Sequence, residues 1–256
     1  MQVKILGSGT STGVPVIGCQ CHVCNSNDSR DSRTRSSIAF RASDDKDWVI
    51  VDTGPDLRAQ ILSAGIQKIA GVLYTHTHSD HSSGFDDLRA FSFDGITQIP
   101  CYLFPEYISD MRVRFAYAFQ DTGYRGVTPS VELIPIESTM LNAFGLDVET
   151  MRLPHGSVET CGFRVGKFAY VTDFKRFSSD QIRRWKGKIH TMIASGIHFG
   201  RHDSHSVIPE TIQLFKDLDV KRGIITHISH RVSHQRDSQR LPEFVEFAYD
   251  GMEVDV

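Results

Sequence analysis

The sequence predicts an α/β layered domain. Short β-branched or aromatic runs alternate with segments of helical spacing, and no repeat, low-complexity tract or Pro/Gly-rich linker interrupts them. At 256 residues the chain can bury a full core, and residues 1–256 read as one domain.

The elements follow in order. Strands are expected at residues 3–6, 37–40, 48–51 and 69–74, each short and rich in Val, Ile or aromatic side chains. Residues 55–64 place Leu, Ile and Ala at helical spacing, with Pro55 at the start and Gly65 just beyond the end. Later strands are expected at 99–104, 146–153, 161–165, 168–171, 191–194 and 223–226, and helices at 105–119, 178–185 and 209–218. Residues 25–37 (NSNDSRDSRTRSS) are the most polar stretch and read as a loop.

Composition narrows the function classes. Hydrophobic content of 40% and charged content of 23% are ordinary for a soluble protein. A net charge of −3, from 28 basic and 31 acidic residues, gives no electrostatic reason to expect a nucleic-acid polymer or an anionic membrane as partner. No apolar stretch approaches the roughly 18 residues a membrane span needs, and residues 1–7 show no secretory leader. A cytoplasmic location is expected. Five cysteines, three of them at Cys19, Cys21 and Cys24, suit metal binding better than a disulfide framework.

The chemistry lies in the run His76-Thr77-His78-Ser79-Asp80-His81. It follows the apolar residues 70–74, so it sits where a buried strand ends. Side chains two apart on extended backbone share a face, which aligns His76 with His78. Asp80 and His81 follow in the turn. Imidazole and carboxylate donors in this density suit zinc, manganese or iron, whereas a single histidine in a polar loop would carry no such signal.

This run resembles the signature of the metallo-β-lactamase superfamily, and further pieces of that pattern follow. Asp52, after 48–51, is similar to the strand-end aspartate that supports the histidine loop. His155 is similar to the isolated downstream histidine, Asp173 to the metal-bridging aspartate, and His227 to the final strand-end histidine. Each alone also fits a cap, a turn or a loop histidine. The resemblance implies a four-layer αβ/βα sandwich holding two divalent ions, Mn²⁺ or Zn²⁺. One would lie on His76, His78 and His155, the other on Asp80, His81 and His227, with Asp173 shared.

Cys19-Gln20-Cys21-His22-Val23-Cys24 offers three thiolates, one short of a tetrahedral zinc site. His22 is a cramped fourth ligand, and His230 in Thr226-His227-Ile228-Ser229-His230 is better placed. A C-x-C-x-x-C loop after a Gly/Ser/Thr-rich turn (Gly7 to Pro15), combined with T-H-I-S-H, resembles the PhnP-type phosphodiesterases of phosphonate breakdown. That resemblance implies one structural Zn²⁺ on Cys19, Cys21, Cys24 and His230, in a loop at about 19–35, and a homodimer. It also places His205 near the substrate phosphate, with His202 as competitor. Residues 195–198 and 84–89 depart from the lyase-linked enzymes, which leaves the substrate open.

The expected activity is metal-dependent hydrolysis of a small, cyclic phosphodiester. Two ions would acidify a water to give the attacking hydroxide, and His205 or Asp80 would protonate the leaving oxygen. The same ligand set serves thioesterases, lactonases and tRNA-processing nucleases. A non-catalytic carrier like that of pyrroloquinoline quinone biosynthesis shares much of the pattern, but all seven ligand positions are filled here, which favours an enzyme.

Overall fold

The computed structural model describes residues 1–93, 97–120 and 127–256. Its strands are β1 (Gln2–Gly7), β2 (Ser37–Arg41), β3 (Trp48–Val51), β4 (Ile69–Leu73), β5 (Ile99–Leu103), β6 (Val131–Pro135), β7 (Met140–Ala143), β8 (Leu146–His155), β9 (Val158–Val165), β10 (Phe168–Val171), β11 (Thr191–Ser195), β12 (Arg222–Thr226), β13 (Val245–Phe247) and β14 (Glu253–Asp255). The α-helices are α1 (Leu57–Ala64), α2 (Ser79–Ser82), α3 (Pro105–Arg114), α4 (Ala116–Phe119), α5 (Ser179–Trp185), α6 (Ile208–Asp217) and α7 (His234–Ser238).

The strands form two seven-stranded sheets, ordered β14-β1-β2-β3-β4-β5-β6 and β13-β12-β11-β10-β9-β8-β7. Each sheet is antiparallel on one side and parallel on the other: β3 to β6 run parallel in the first, β10 to β13 in the second. Helices cover the outer faces, with α1 against β1 and α6 against β11 and β12. This is the four-layer αβ/βα sandwich that the sequence resemblance implies.

Strand alternation explains why the parallel strands read as continuous apolar runs. Phe168 and Tyr170 of β10, Ile193 of β11 and Ile224 of β12 face the core between the sheets. Ala169, Val171, Met192, Ala194 and Ile225 face the opposite way, into a second core with Trp185, Leu214 and Phe215 of α5 and α6. Both faces are buried, so both are mainly apolar, with the polar Thr191, Ser195 and Thr226 at the strand ends. Local signals set the helix ends: Gly65 closes α1 in the left-handed conformation (φ 65°), and Ser178 opens α5 with a reciprocal cap to Gln181.

Three expectations need correction. The helix expected over 105–119 breaks at Phe115 (φ −114°, ψ 39°), whose ring stacks on Phe85 at 4.5 Å between centroids. That packing outweighs local helical propensity. Strands β6, β7, β13 and β14 were not expected: β6, β7 and β13 lie at sheet edges with exposed or half-exposed positions, and β13 and β14 have three residues each. The polar stretch 25–37 is not a plain loop. It contains a 3₁₀ turn (Ser29–Asp31), and its last residue opens β2.

In that stretch Arg33 is fully buried. It pairs with Asp31 at 2.6 Å and donates to the carbonyls of Arg30, Ser229 and Val232. Asp31 also accepts from the His234 amide at 2.7 Å. One ion pair thus ties the cysteine-bearing N-terminal segment to residues 229–234. Asp31→Ala would leave the guanidinium buried without a counter-charge, and we expect a loss of ~3–5 kcal/mol in urea unfolding. A change below ~1 kcal/mol would show that the backbone carbonyls satisfy Arg33 by themselves.

Candidate metal centre

The carboxyl ends of the parallel strands in both sheets open onto the same edge of the sandwich, where α/β sheets place their ligands. Asp52 follows β3, the His76–His81 run follows β4, Asp173 follows β10 and His227 follows β12. His155 ends β8. Asp52, Asp173 and His227 all have positive φ (65°, 51° and 57°), sparsely populated for residues other than glycine. Such turns persist only where surrounding contacts hold them, and they gather at functional sites.

Two sets of donor atoms converge there. His76, His78 and His155 form one, Asp80, His81, Asp173 and His227 the other, with the atoms of each set within 4.8 Å of one another. Asp173 lies between the sets. Its Oδ1 is 2.9 Å from His227 Nε2, while its Oδ2 is 2.7 Å from His81 Nε2 and 3.6 Å from His76 Nε2. Asp80 Oδ2 is 3.3 Å from His81 Nε2.

These residues fit cations better than they fit each other. His76 Nε2, His81 Nε2 and His227 Nε2 are buried without a hydrogen-bond partner, a costly arrangement unless something else satisfies them. The close approach of His81 Nε2 to Asp173 does not meet hydrogen-bond geometry despite its 2.7 Å. Two ligands of one cation meet in this way. Burial pushes His76 well below the ordinary histidine range and His155 down to about 4, so both present neutral lone pairs. Burial would raise Asp173, but His227 and His81 outweigh it and hold the carboxyl well below its usual range.

Asp52 orients the histidine loop. It accepts from the Thr75 amide and hydroxyl, both at 2.8 Å, and lies 2.7 Å from His81 Nδ1. A proton on Nδ1 towards Asp52 turns the Nε2 lone pair of His81 to the centre. Close backbone packing assists: a Cβ on Gly54 would lie 2.3 Å from the Asp80 carbonyl oxygen, and one on Gly84 would lie 2.1 Å from that of Gly54. Only glycine lets the loop sit this near β3. Asp52→Ala is expected to weaken metal affinity about 10–100-fold, measured by competition with a chromophoric chelator. An unchanged affinity would mean that backbone packing alone orients His81.

His205 joins the cluster and His202 does not. The His205 ring stacks on His227 at 5.0 Å and meets His155 edge-on at 4.7 Å. Its Nδ1, buried and unpartnered, is 3.5 Å from Asp173 Oδ1. His202 Nδ1 instead accepts from the amides of Ser204 and His205, shaping the loop.

Below this edge lies a separate thiol site. His230 Nδ1 is 3.3, 3.7 and 3.6 Å from the sulfurs of Cys19, Cys21 and Cys24. A tetrahedral zinc with ordinary Zn–S and Zn–N bonds requires S···N edges of about 3.5 Å. The Cys24 amide donates to Cys21 Sγ at 3.4 Å and chiefly accounts for a Cys21 thiol drawn down to about 6, while the Val16 amide donates to Cys24 Sγ. His22 is exposed and outside this group. Cys101 and Cys161 are buried core thiols.

Among the described residues no helix is long and apolar enough to cross a membrane. The family described as Beta-lactamase superfamily domain matches residues 47–228. A diphosphatase from the PhnP family, known from its crystal structure, superposes with a TM-score of 0.91 at 33% identity, covering 99% of this chain and 96% of that one. The Zn(2+)-bound PqqB of Methylobacterium extorquens superposes with a TM-score of 0.80 at 21% identity over 100% of both chains, a likeness of fold. An octanoyltransferase of Porphyromonas gingivalis is 34% identical over 99% of this chain and 51% of its own length. The chain therefore spans about half of that relative. The family match over most of the chain and the full-length similarity at 33% identity lead to one assignment: the chain belongs to the metallo-β-lactamase superfamily and resembles its PhnP-type members.

Proposed function

We propose that the chain is a metal-dependent phosphodiesterase for small, cyclic phosphodiesters. His76, His78 and His155 would hold one divalent ion, Asp80, His81 and His227 a second, and Asp173 both. Cys19, Cys21, Cys24 and His230 would hold a structural Zn²⁺. The observation that carries this reading is the Asp173 carboxylate, whose two oxygens face donors of both sets. Similarity to a PhnP-family diphosphatase supports phosphoryl chemistry over acyl chemistry.

When bound, the two ions supply Lewis acidity and lower the pKa of a nearby water. The chain's own residues do the rest. Asp52 fixes His81, and the seven donors keep the ions at set positions. His205, 15% exposed at the side chain, stands at the edge of the cluster as proton donor to the leaving oxygen. Asp80 is less suited to that role, because its carboxylate is committed beside His81 and His227.

The test is turnover of bis(p-nitrophenyl) phosphate and of ribose 1,2- and 2′,3′-cyclic phosphates by protein reconstituted with Mn²⁺ or Zn²⁺. Metal-dependent activity strongest on a cyclic phosphate supports the reading. That the PhnP-family relative is a diphosphatase favours one second reading, cleavage of a phosphoanhydride, so a nucleoside diphosphate derivative belongs in the same panel. Activity confined to thioesters or lactones, or none in metal-loaded protein, would overturn both.

A further inference from the structure

We propose that Lys175 is a positioning residue that sets His205 against the metal centre, acting with Glu210. The inference rests on the reading of His205 as proton donor to the leaving group.

Lys175 lies two residues beyond Asp173, where three active-centre segments meet. Its amide donates to the Pro154 carbonyl at 2.8 Å, next to His155. Its Nζ donates to the carbonyls of His202 at 2.9 Å and His205 at 3.3 Å. The same ammonium pairs with Glu210 at 3.0 Å, and Glu210 accepts from the Val207 amide where α6 begins. The Ser206 amide donates to the Phe174 carbonyl at 2.7 Å, which closes the loop onto the segment after β10 that carries Asp173. The His205 side chain makes no hydrogen bond through Nδ1 and rests on ring contacts with His155, His227 and His202, the last within the same loop. Its position therefore depends on its backbone, and Lys175 grips that backbone from both ends of residues 202–205.

The requirement is geometric. As the P–O bond to the leaving group breaks, that oxygen takes a proton from the imidazole, which regains one from solvent. An ångström of displacement in such a donor costs about 100-fold in rate. A lysine ammonium has three donors and can bind two carbonyls and a carboxylate together. Methionine, of similar length, offers none.

The experiment compares Lys175→Met, Lys175→Arg and His205→Ala on aryl phosphodiesters of graded leaving-group pKa, from p-nitrophenyl to phenyl, and on an alkyl ester. A good leaving group needs little protonation and a poor one needs much. We expect His205→Ala to lose kcat steeply as the leaving group worsens. Lys175→Met should show the same dependence, at about 10–100-fold on the poorest leaving group and far less on p-nitrophenyl, with partial recovery in Lys175→Arg. In metal-free protein, the amides of residues 202–206 should exchange hydrogen faster in Lys175→Met, while the melting temperature and the exchange of β10 stay near wild type. A leaving-group effect in His205→Ala but not in Lys175→Met overturns the role of Lys175. No effect in His205→Ala overturns the reading of His205 itself. A uniform loss on all esters with unchanged exchange at 202–206 also counts against positioning.

Discussion

Asp173→Ala is expected to strip the ions from the strand-end centre and lower turnover by more than about 10³-fold, beyond the loss expected for one oxyanion donor. The reason is placement: its two oxygens face His227 on one side and His81 and His76 on the other, so one truncation removes the carboxylate that lies between the two donor sets. Five histidines of the two sets would then crowd together without a central anion. Metal analysis should show these ions lost and the zinc at the thiol site kept, because Asp173 is not among the Cys19, Cys21, Cys24 and His230 donors. Asp173→Asn keeps the shape and loses the charge, and so separates ligation from folding. Full activity in metal-stripped Asp173→Ala protein would end the two-ion proposal.

The second large effect is on stability. Cys21→Ser is expected to lose one zinc per chain and about 4 kcal/mol or more, since loss of a metal is among the few single changes that reach this range. For a domain of this size that is a fall in Tm of about 8–16 °C. Protein that stays folded should keep its strand-end ions and its chemistry, because Cys19, Cys21, Cys24 and His230 are not among the strand-end donors. Metal analysis and thermal melts check both statements. Unchanged zinc content in Cys21→Ser would contradict the assignment.

The two predictions differ in how well the sequence foretold them. His76, His78, Asp80 and His81 are adjacent in the chain, and the preceding apolar residues place them at a strand end. Asp52, Asp173 and His227 follow the same local rule, each ending a short β-branched or aromatic run. A rule that needs only a run and its end can be read without a fold. The thiol cluster is also local for its three sulfurs.

The partners of these residues could not be read this way. The choice between His22 and His230 depends on which imidazole reaches the sulfurs across more than two hundred residues of chain. The choice between His202 and His205 depends on which ring faces Asp173 once the loop has folded. Arg33 lies in the most polar stretch yet is fully buried, because Asp31 and three carbonyls replace its water. Phe115 breaks a helix because Phe85 offers a face to stack on. Strands β6 and β7 pair at sheet edges with half-exposed patterns too weak to announce them.

By itself the sequence determined the fold class, the ends of the central strands and the kinds of donor atom placed there, because hydrophobic periodicity and residue chemistry are local properties. Only the tertiary structure decided that Asp173 lies between two donor sets, that Asp52 orients His81 and that Lys175 holds the His205 loop. Those are distances between segments far apart in the chain, fixed by how two sheets pack against each other.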